Sequence, residues 1–389
     1  MRTQVAIVGA GPAGLLLSHL LAREGVASIV LEIHEREYVE RRIRAGVLEQ
    51  GTVDLLCASG VGDRLRREGL IHRGIELRFD GRGHRIALSE LAGGRAITVY
   101  GQQEVVKDLI QARLEAGGQI LFEAGALSLH DLDSSAPTVR YREGGELQEL
   151  QCDIVAGCDG FHGVCRAAIP AGVLTEYQTE YPFAWFGILA AVAPSTEELI
   201  YASHERGFAL HSLRSPQLSR FYLQCRPDDA VENWPDERIW QELRARFATN
   251  EGWTLNEGPI IEKSVAAMRS FVVEPMQYGR LFLAGDAAHI VPATGAKGMN
   301  LAIADARILT EALTAWYRTG QTDHLASYSA TCLRRVWRAE HFSWWMTSMT
   351  HRHDDAFQQR LALSQLRYVC SSPAAATTLA ENYVGLETV

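Results

Sequence analysis

The run Gln4-Val5-Ala6-Ile7-Val8-Gly9-Ala10-Gly11-Pro12-Ala13-Gly14, followed by a second apolar run that closes on Glu32, constrains what this chain can fold into more than any other feature. A β-favouring stretch flows straight into G-x-G-x-x-G, and residues 15–24 continue with helical spacing. Gly9 permits the tight strand-to-helix turn, Gly11 lets a pyrophosphate approach the backbone, and Gly14 lets the helix pack closely on the strand while its N-terminus faces the phosphates. Ser28-Ile29-Val30-Leu31-Glu32 supplies a second strand ending in a carboxylate able to accept both hydroxyls of a ribose, at about the twenty-residue spacing of the fingerprint. The segment predicts a dinucleotide site on an α/β unit.

At 389 residues the chain is too long for one ordinary core, so two lobes or a domain with a large insertion are expected. The apolar fraction of 47% and charged fraction of 22% are those of a globular protein. A net charge of -9, with acidic and basic residues interspersed, argues against nucleic acid as a partner. The first strand begins too early for a signal peptide, and no apolar run approaches the ~18 residues of a membrane span. A cytoplasmic protein is expected. The seven cysteines are scattered without a C-x-x-C pair and read as reduced structural thiols, and His351-Arg352-His353 lacks metal-helix spacing, so no metal site is expected.

Two further segments resemble strand ends at a nucleotide. Cys152-Asp153-Ile154-Val155-Ala156-Gly157-Cys158-Asp159-Gly160 is a short apolar strand ending in Asp-Gly, and Arg280-Leu281-Phe282-Leu283-Ala284-Gly285-Asp286-Ala287-Ala288-His289 repeats the theme, with Pro292 after it. A nicotinamide dehydrogenase needs only the first segment, whereas FAD also needs an acidic group near its ribityl chain and backbone donors near its ring. The loop Thr294-Gly295-Ala296-Lys297-Gly298-Met299-Asn300 then opens a helical pattern, offering free N–H groups and a dipole end to the flavin's N1/C2 carbonyl edge.

Between about residues 180 and 275 the texture changes to alternating, aromatic-rich strands, predicting an antiparallel sheet inserted into the nucleotide domain. A hairpin loop 215–219 centred on Gln217 pairs 212 with 222 and 214 with 220, which puts Ser212, Arg214, Arg220 and Tyr222 on one face. Two guanidiniums, a hydroxyl and a phenol suit a carboxylate ligand, though a solvent-facing sheet surface carries such residues too.

The chain resembles flavin-dependent aromatic hydroxylases of the 4-hydroxybenzoate 3-monooxygenase type, almost end to end. The resemblance is carried by residues 42–51, which include Arg42-Ile43-Arg44-Ala45-Gly46, by Gly157-Cys158-Asp159-Gly160-Phe161-His162-Gly163 and by Arg269-Ser270-Phe271-Val272-Val273-Glu274-Pro275-Met276. Phe342-Ser343-Trp344-Trp345-Met346 and Glu381-Asn382-Tyr383-Val384-Gly385-Leu386 extend it. It implies an α/β fold: a Rossmann-like FAD-binding domain (1–175), an inserted antiparallel β-sheet substrate domain (176–290, whose last strand at about 280–290 returns to the FAD site) and a helical C-terminal region (291–389), usually as a homodimer. It implies that Glu32, Arg42, Arg44, Gln102, Asp159, Asp286, Gly298, Met299 and Asn300 serve FAD beside Gly9, Gly11 and Gly14. Arg220 is implied to help position the flavin, and Arg44, His162 and Arg269 to meet the phosphates of the nicotinamide cofactor.

By the same resemblance Ser212, Arg214 and Tyr222 hold the substrate carboxylate, Tyr201 bonds the phenol oxygen, Tyr383 stands behind it, and His72 completes a proton relay. From its own sequence context alone, His72 reads as a surface histidine. The implied reaction converts 4-hydroxybenzoate to 3,4-dihydroxybenzoate using NADPH or NADH, O2 and FAD. Ala293 stands where the family commonly has a second proline after Pro292, which leaves 4-aminobenzoate or 3,4-dihydroxybenzoate open as substrates. Glu35 and Glu37 repel a 2′-phosphate while His34 and Arg36 attract one, so the reductant stays open. A plain nicotinamide dehydrogenase and a non-catalytic flavin-binding sensor are the readings from other classes.

Overall fold

The computed structural model describes residues 1–42 and 46–385. Its first sheet has six strands in the order Gln277–Tyr278, Leu281–Leu283, Ile154–Gly157, Val5–Val8, Ser28–Leu31, Gln119–Leu121. Val5–Val8 lies at the centre and runs parallel to both neighbours, with Val8 opposite Leu31 on one side and Gly157 on the other. Leu281–Leu283 joins in parallel with Leu283 opposite Gly157. Val5–Val8, Ser28–Leu31 and Ile154–Gly157 are buried throughout, in one core with Leu15 and Leu309 of two helices and Val139, Tyr141 and Leu150 of a three-stranded antiparallel sheet, which is why they read as unbroken apolar runs. The helices Pro12–Arg23 and Gly298–Thr319 pack against each other on one side.

The second sheet has eight strands in the order His289–Ile290, Ile260–Glu274, Thr175–Ala190, Leu218–Cys225, Ala209–Ser215, Leu199–Ala202, Ile75–Phe79, Arg82–Ile86. It is antiparallel except where Leu199–Ala202 runs beside Ile75–Phe79. Its two outermost strands on that side come from the N-terminal part of the chain. Thr175–Ala190 and Ile260–Glu274 form a long ribbon, and Phe271 and Val272 pair with the short strand His289–Ile290 that follows the Gly285 turn of the nucleotide side.

Strand alternation divides this sheet's residues between two cores. Phe186, Ile188, Phe221 and Leu223 face the helix Asp236–Phe247. Trp185, Tyr201, Phe208 and Leu210 face the C-terminal helices through Phe342, Met346, Met349, Leu379 and Tyr383. Each fully buried large side chain contributes about 1.5–3 kcal/mol, so both faces are firmly set.

The hairpin differs from the sequence expectation. Its loop is Pro216-Gln217 alone, Ser212 lies opposite Arg220, and Leu210 lies opposite Tyr222. Proline at the first central position presets the turn, and Ser215 Oγ closes it by accepting from the Gln217 N–H at 3.2 Å. The register is displaced by two residues, so Ser212, Arg220 and Tyr222 keep their common face. Arg214 falls in an irregularity between the pairs Leu213/Ser219 and Ser215/Leu218, a bulge that re-aims its side chain.

Candidate active site

Four strands of the parallel sheet stop at one edge, and the residues that follow them are Gly9, Glu32, Cys158 and Ala284. Gly9 has φ +105°, and a Cβ on it would lie 2.3 Å from the Cys158 carbonyl oxygen. A Cβ on Gly14 would lie 2.1 Å from Gly9 O, so strand and helix touch there through bare backbone. Gly11 is different: it caps the helix Pro12–Arg23, and a Cβ on it would meet nothing within 4 Å. That open cradle at the positive end of a helix suits a pyrophosphate.

Glu32 is fixed by the Ala10 N–H at 2.8 Å and the His34 N–H at 2.9 Å, which leaves lone pairs for a ribose. Asp159 Oδ2 accepts from the Cys165 N–H at 2.9 Å, while its Oδ1 is buried without a partner among the described residues and burial raises the carboxyl pKa. Asp286 is exposed in the turn Gly285–Ala287, which Asp305 holds by accepting from the Gly285 N–H at 2.9 Å. The Gly11 cradle and the orphaned Asp159 oxygen fit FAD.

The loop at 293–297 packs on the long helix Asp323–Thr350: a Cβ on Gly295 would fall 2.2 Å from Ser343 Oγ, and Thr347 Oγ1 donates to Thr294 Oγ1 at 2.9 Å. Ala296 sits at φ +54°, after which Gly298, again with open space around it, begins the helix Gly298–Thr319 with half-buried Met299 beside it. The Asn300 side chain is fully occupied. Its Oδ1 accepts from the Glu49 N–H at 2.9 Å and Thr52 Oγ1 at 2.8 Å, and its Nδ2 donates to Val47 O at 3.0 Å and Ala296 O at 2.9 Å. A flavin contact from Asn300 therefore falls to its main chain. Gln102 begins the helix Gln102–Glu115, Arg42 lies exposed with its guanidinium 5.9 Å from the Tyr38 ring, and Arg44 lies outside the described residues.

On the inner face of the second sheet, Arg214 donates through Nη1 to Ser212 Oγ at 2.9 Å and Leu213 O at 3.0 Å, while its Nε is buried without a partner among the described residues. Burial lowers its pKa and the neighbouring Arg220 lowers it further, so an anion here relieves both penalties. Arg220 is already engaged, donating to Glu262 at 3.0 Å and to Ser264 Oγ at 3.5 Å, and stands 5.2 Å from the Tyr222 ring. Gly187 leaves that space: a Cβ there would sit 2.8 Å from Arg220 Nη2.

Leu210 separates this polar end from Tyr201, since Tyr222, Leu210 and Tyr201 follow one another across the strands. Tyr201 is 2 % exposed, donates to Thr294 O at 3.2 Å and hydrogen-bonds the Tyr383 hydroxyl. Burial raises the pKa of both phenols, which keeps them protonated. Ala293, next to Thr294, is exposed. His72 is not the surface histidine its sequence context suggests. It is 1 % exposed in the strand Leu70–His72 opposite Ile97, with both ring nitrogens unpartnered among the described residues, and burial lowers its pKa to about 4. Pairing with Ile97–Val99, invisible locally, draws it inward.

His162 and Arg269 converge on Phe161, the imidazole at 4.9 Å between ring centres and the guanidinium at 4.9 Å from the ring centre.

Two groups escape sequence reasoning. Lys297 is buried with Nζ donating to Glu49 at 2.7 Å and to the Tyr383 carbonyl at 2.9 Å, and Arg335 bonds the other Glu49 oxygen at 2.5 Å. Burial opposes the charge on Glu49, but the two cations hold its carboxyl below the ordinary value. Trp185, 4.7 Å from Tyr222 between ring centres, donates Nε1–H to His351 Nε2 at 2.7 Å. The alternation Phe183-Ala184-Trp185 within a strand signals the indole's face; nothing local signals the histidine.

The family model for the FAD binding domain matches residues 2–343. The p-hydroxybenzoate hydroxylase of Acinetobacter baylyi is 50% identical over 388 residues, 99% of this chain and 96% of that protein. A 3-(3-hydroxy-phenyl)propionate/3-hydroxycinnamic acid hydroxylase of Mycobacterium sp. (strain JLS) is 26% identical over 78% of this chain and 52% of its own length. In structure, p-nitrophenol 4-monooxygenase PnpA from Pseudomonas putida DLL-E4 superposes with a TM-score of 0.84 at 19% identity, covering all of both chains, a likeness of fold. The near full-length match sets aside the plain dehydrogenase and the sensor. The chain belongs to the FAD-binding-domain family and, within it, to the flavin-dependent aromatic hydroxylases, monooxygenases whose cofactor is FAD.

Proposed function

We propose that this enzyme hydroxylates 4-hydroxybenzoate beside its phenol carbon, giving 3,4-dihydroxybenzoate, with NADPH or NADH and O2. The observation that carries the reading is the polarity of one sheet face, with Ser212, Arg214 and Tyr222 at one end and the Tyr201–Tyr383 pair at the other, separated by Leu210. A ligand with a carboxylate and a para hydroxyl matches both ends.

When bound, FAD supplies reducing equivalents and activated oxygen. Gly9, Gly11, Glu32, Asp159 and Asp286, at and after the strand ends, would hold it, Gly14 would let the first helix approach, and the main chain of Gly298, Met299 and Asn300 would serve the ring. The protein's own task is to orient the ligand, ionise it and exclude water. Arg214 forms a charge-assisted fork with the carboxylate, to which Ser212 and Tyr222 add donors. Tyr201, kept protonated by burial, donates to the phenolate oxygen, which lowers the phenol pKa and enriches the ring in electrons. The released proton passes through Tyr383 toward His72. The apolar packing around Tyr201 and Trp185 keeps water from the reacting atoms. His162 and Arg269, gathered at Phe161, suit the nicotinamide cofactor's phosphates.

The reading includes a cytoplasmic homodimer. Seven unpaired cysteines suit a reducing compartment, and among the described residues no helix is long and apolar enough to cross a membrane. The C-terminal helices expose Trp344, Phe357, Leu361 and Tyr368, a face suited to a second copy. Sedimentation of a single 43 kDa species would contradict the dimer.

The activity test is oxidation of NADPH and NADH by the FAD-loaded protein with and without 4-hydroxybenzoate, with product and H2O2 measured together. Stimulated oxidation matched by 3,4-dihydroxybenzoate is expected. Oxidation yielding H2O2 alone points to 4-aminobenzoate or another 4-substituted benzoate, admitted by Ala293, and no stimulation contradicts the proposal.

A further inference from the structure

His72 presents a physical problem for any proton path that ends on it. Both its ring nitrogens are buried and, among the described residues, unpartnered, so the imidazole does not reach solvent directly. Two residues later the chain passes Gly74 and enters the strand Ile75–Phe79. Directly over Gly74 lies an ion pair brought from two other parts of the sheet: Arg85 Nε and Nη2 donate to Glu198 Oε2 and Oε1 at 2.7 and 2.8 Å. A Cβ on Gly74 would fall 2.8 Å from Arg85 Nη2 and 2.8 Å from Glu198 Oε2, so the pair rests on the backbone where glycine alone leaves it room.

The pair faces both ways. The Arg85 side chain is 48% exposed and that of Glu198 only 20%, which places the carboxylate on the inner side of the guanidinium. Burial lowers the His72 pKa and the Glu198 charge raises it, so this carboxylate is near enough to favour the imidazolium. Among the neighbouring titratable groups, His211 interacts with His72 but is driven down to about 3 by burial, then by Arg78, and is neutral at working pH. Glu90 acts on Arg85.

We propose that the Arg85–Glu198 pair latches the outer end of the proton path, and that Glu198 swings off Arg85 to take the proton from His72 and release it to water. The inference rests on the relay reading of Tyr201, Tyr383 and His72. In sequence, the substrate's phenolic O–H bond breaks and an N–H bond forms on His72. That N–H then breaks, the proton binds a Glu198 oxygen and leaves to water, and the carboxylate returns to Arg85. One proton crosses and no electrons move. Glu198 acts through His72 and does not touch the substrate.

The test is stopped-flow detection of proton release, with a pH indicator, when 4-hydroxybenzoate binds the FAD-loaded enzyme. Glu198→Gln keeps an acceptor for Arg85 and removes the charge; it is expected to slow proton release roughly tenfold or more while ligand affinity and flavin content stay unchanged. Arg85→Gln, which removes the latch, is expected to release the proton at least as fast as the parent. A ring-fluorinated 4-hydroxybenzoate, ionised before it binds, bypasses the path and should be hydroxylated equally well by parent and Glu198→Gln. Unchanged proton release in Glu198→Gln overturns the latch, as does an equal slowing of the two ligands, which would mark a structural role. A parent enzyme that hydroxylates neither ligand overturns the site reading first and the latch with it.

Discussion

In the parallel sheet the groups presented at the strand ends are mostly main chain, held in place by glycines; in the antiparallel sheet the groups presented on the inner face are side chains, held in place by cross-strand register. Gly9 and Gly14 touch neighbouring backbone with no room for a methyl group, so that half tolerates little change in shape and depends little on charge. Ser212, Arg220 and Tyr222 sit on a face that a two-residue slip preserves, with Arg214 re-aimed by the bulge beside them, so that half tolerates a shift in register but depends on each polar side chain. The two sheets should therefore fail differently when perturbed.

Acid should separate them most strongly. His72, His211 and His351 on the substrate side are buried neutral, with pKa values lowered to about 4, 3 and 3, burial being the first cause in each. A histidine depressed in the folded state contributes stability that is complete above its unfolded pKa near 6.5 and is lost as pH falls toward the folded value. Each should cost up to roughly 1.4 kcal/mol per pH unit below about 6. At the edge strand His289–Ile290, where the second sheet meets the Gly285 turn, burial opposes the His289 charge, but Asp305, 2.6 Å away, raises its pKa, so its contribution runs the other way. Urea unfolding at pH 7 and pH 5 should show a marked loss of stability, with hydrogen exchange rising first in 199–225. Equal exchange in both sheets would remove the distinction.

Arg214→Ala should weaken 4-hydroxybenzoate binding by about 2 to 5 kcal/mol while FAD stays bound. Ligand titration of the flavin spectrum reads both, and unchanged affinity would remove Arg214 from the carboxylate role. Gly14→Ala should do the reverse, costing about 1–3 kcal/mol of stability and releasing FAD, because its new Cβ meets backbone that cannot yield. Retained flavin at parental Tm would break the main-chain half of the comparison. Ser212→Ala should be milder, about 1 kcal/mol in ligand affinity, measurable in the same titration.

The same contrast explains what could be read from the residues alone. Glycine spacing, the acid closing a strand and the Gly-Asp turns are local, because local backbone geometry is what a phosphate or ribityl chain demands, and residues 5–32, 154–160 and 281–287 are legible for that reason. The polar face at 212–222 was legible through its period of two, but its register was not, because Pro216 and the Ser215 hydroxyl tighten the loop to two residues. Contacts between distant strands left no local trace. These include the joining of Ile75–Phe79 to Leu199–Ala202, the burial of His72 by Ile97, the engagement of Arg220 by Glu262, and the capture of Trp185 by His351. Asn300 shows the limit of a motif: the position was named, but its side chain ties the loop at 47–52 together.

The central claim is that side chains of one sheet face hold a carboxylate at one end and ionise a phenol at the other. The most direct test is the ultraviolet spectrum of 4-hydroxybenzoate bound to the FAD-loaded enzyme, titrated from pH 6 to 9.5, for the parent and Tyr201→Phe. The account predicts a bound phenol that ionises about one pH unit or more below the free ligand in the parent, and a return toward the free value in Tyr201→Phe with carboxylate affinity nearly intact. A bound phenol that ionises as it does in water, in both proteins, would contradict it.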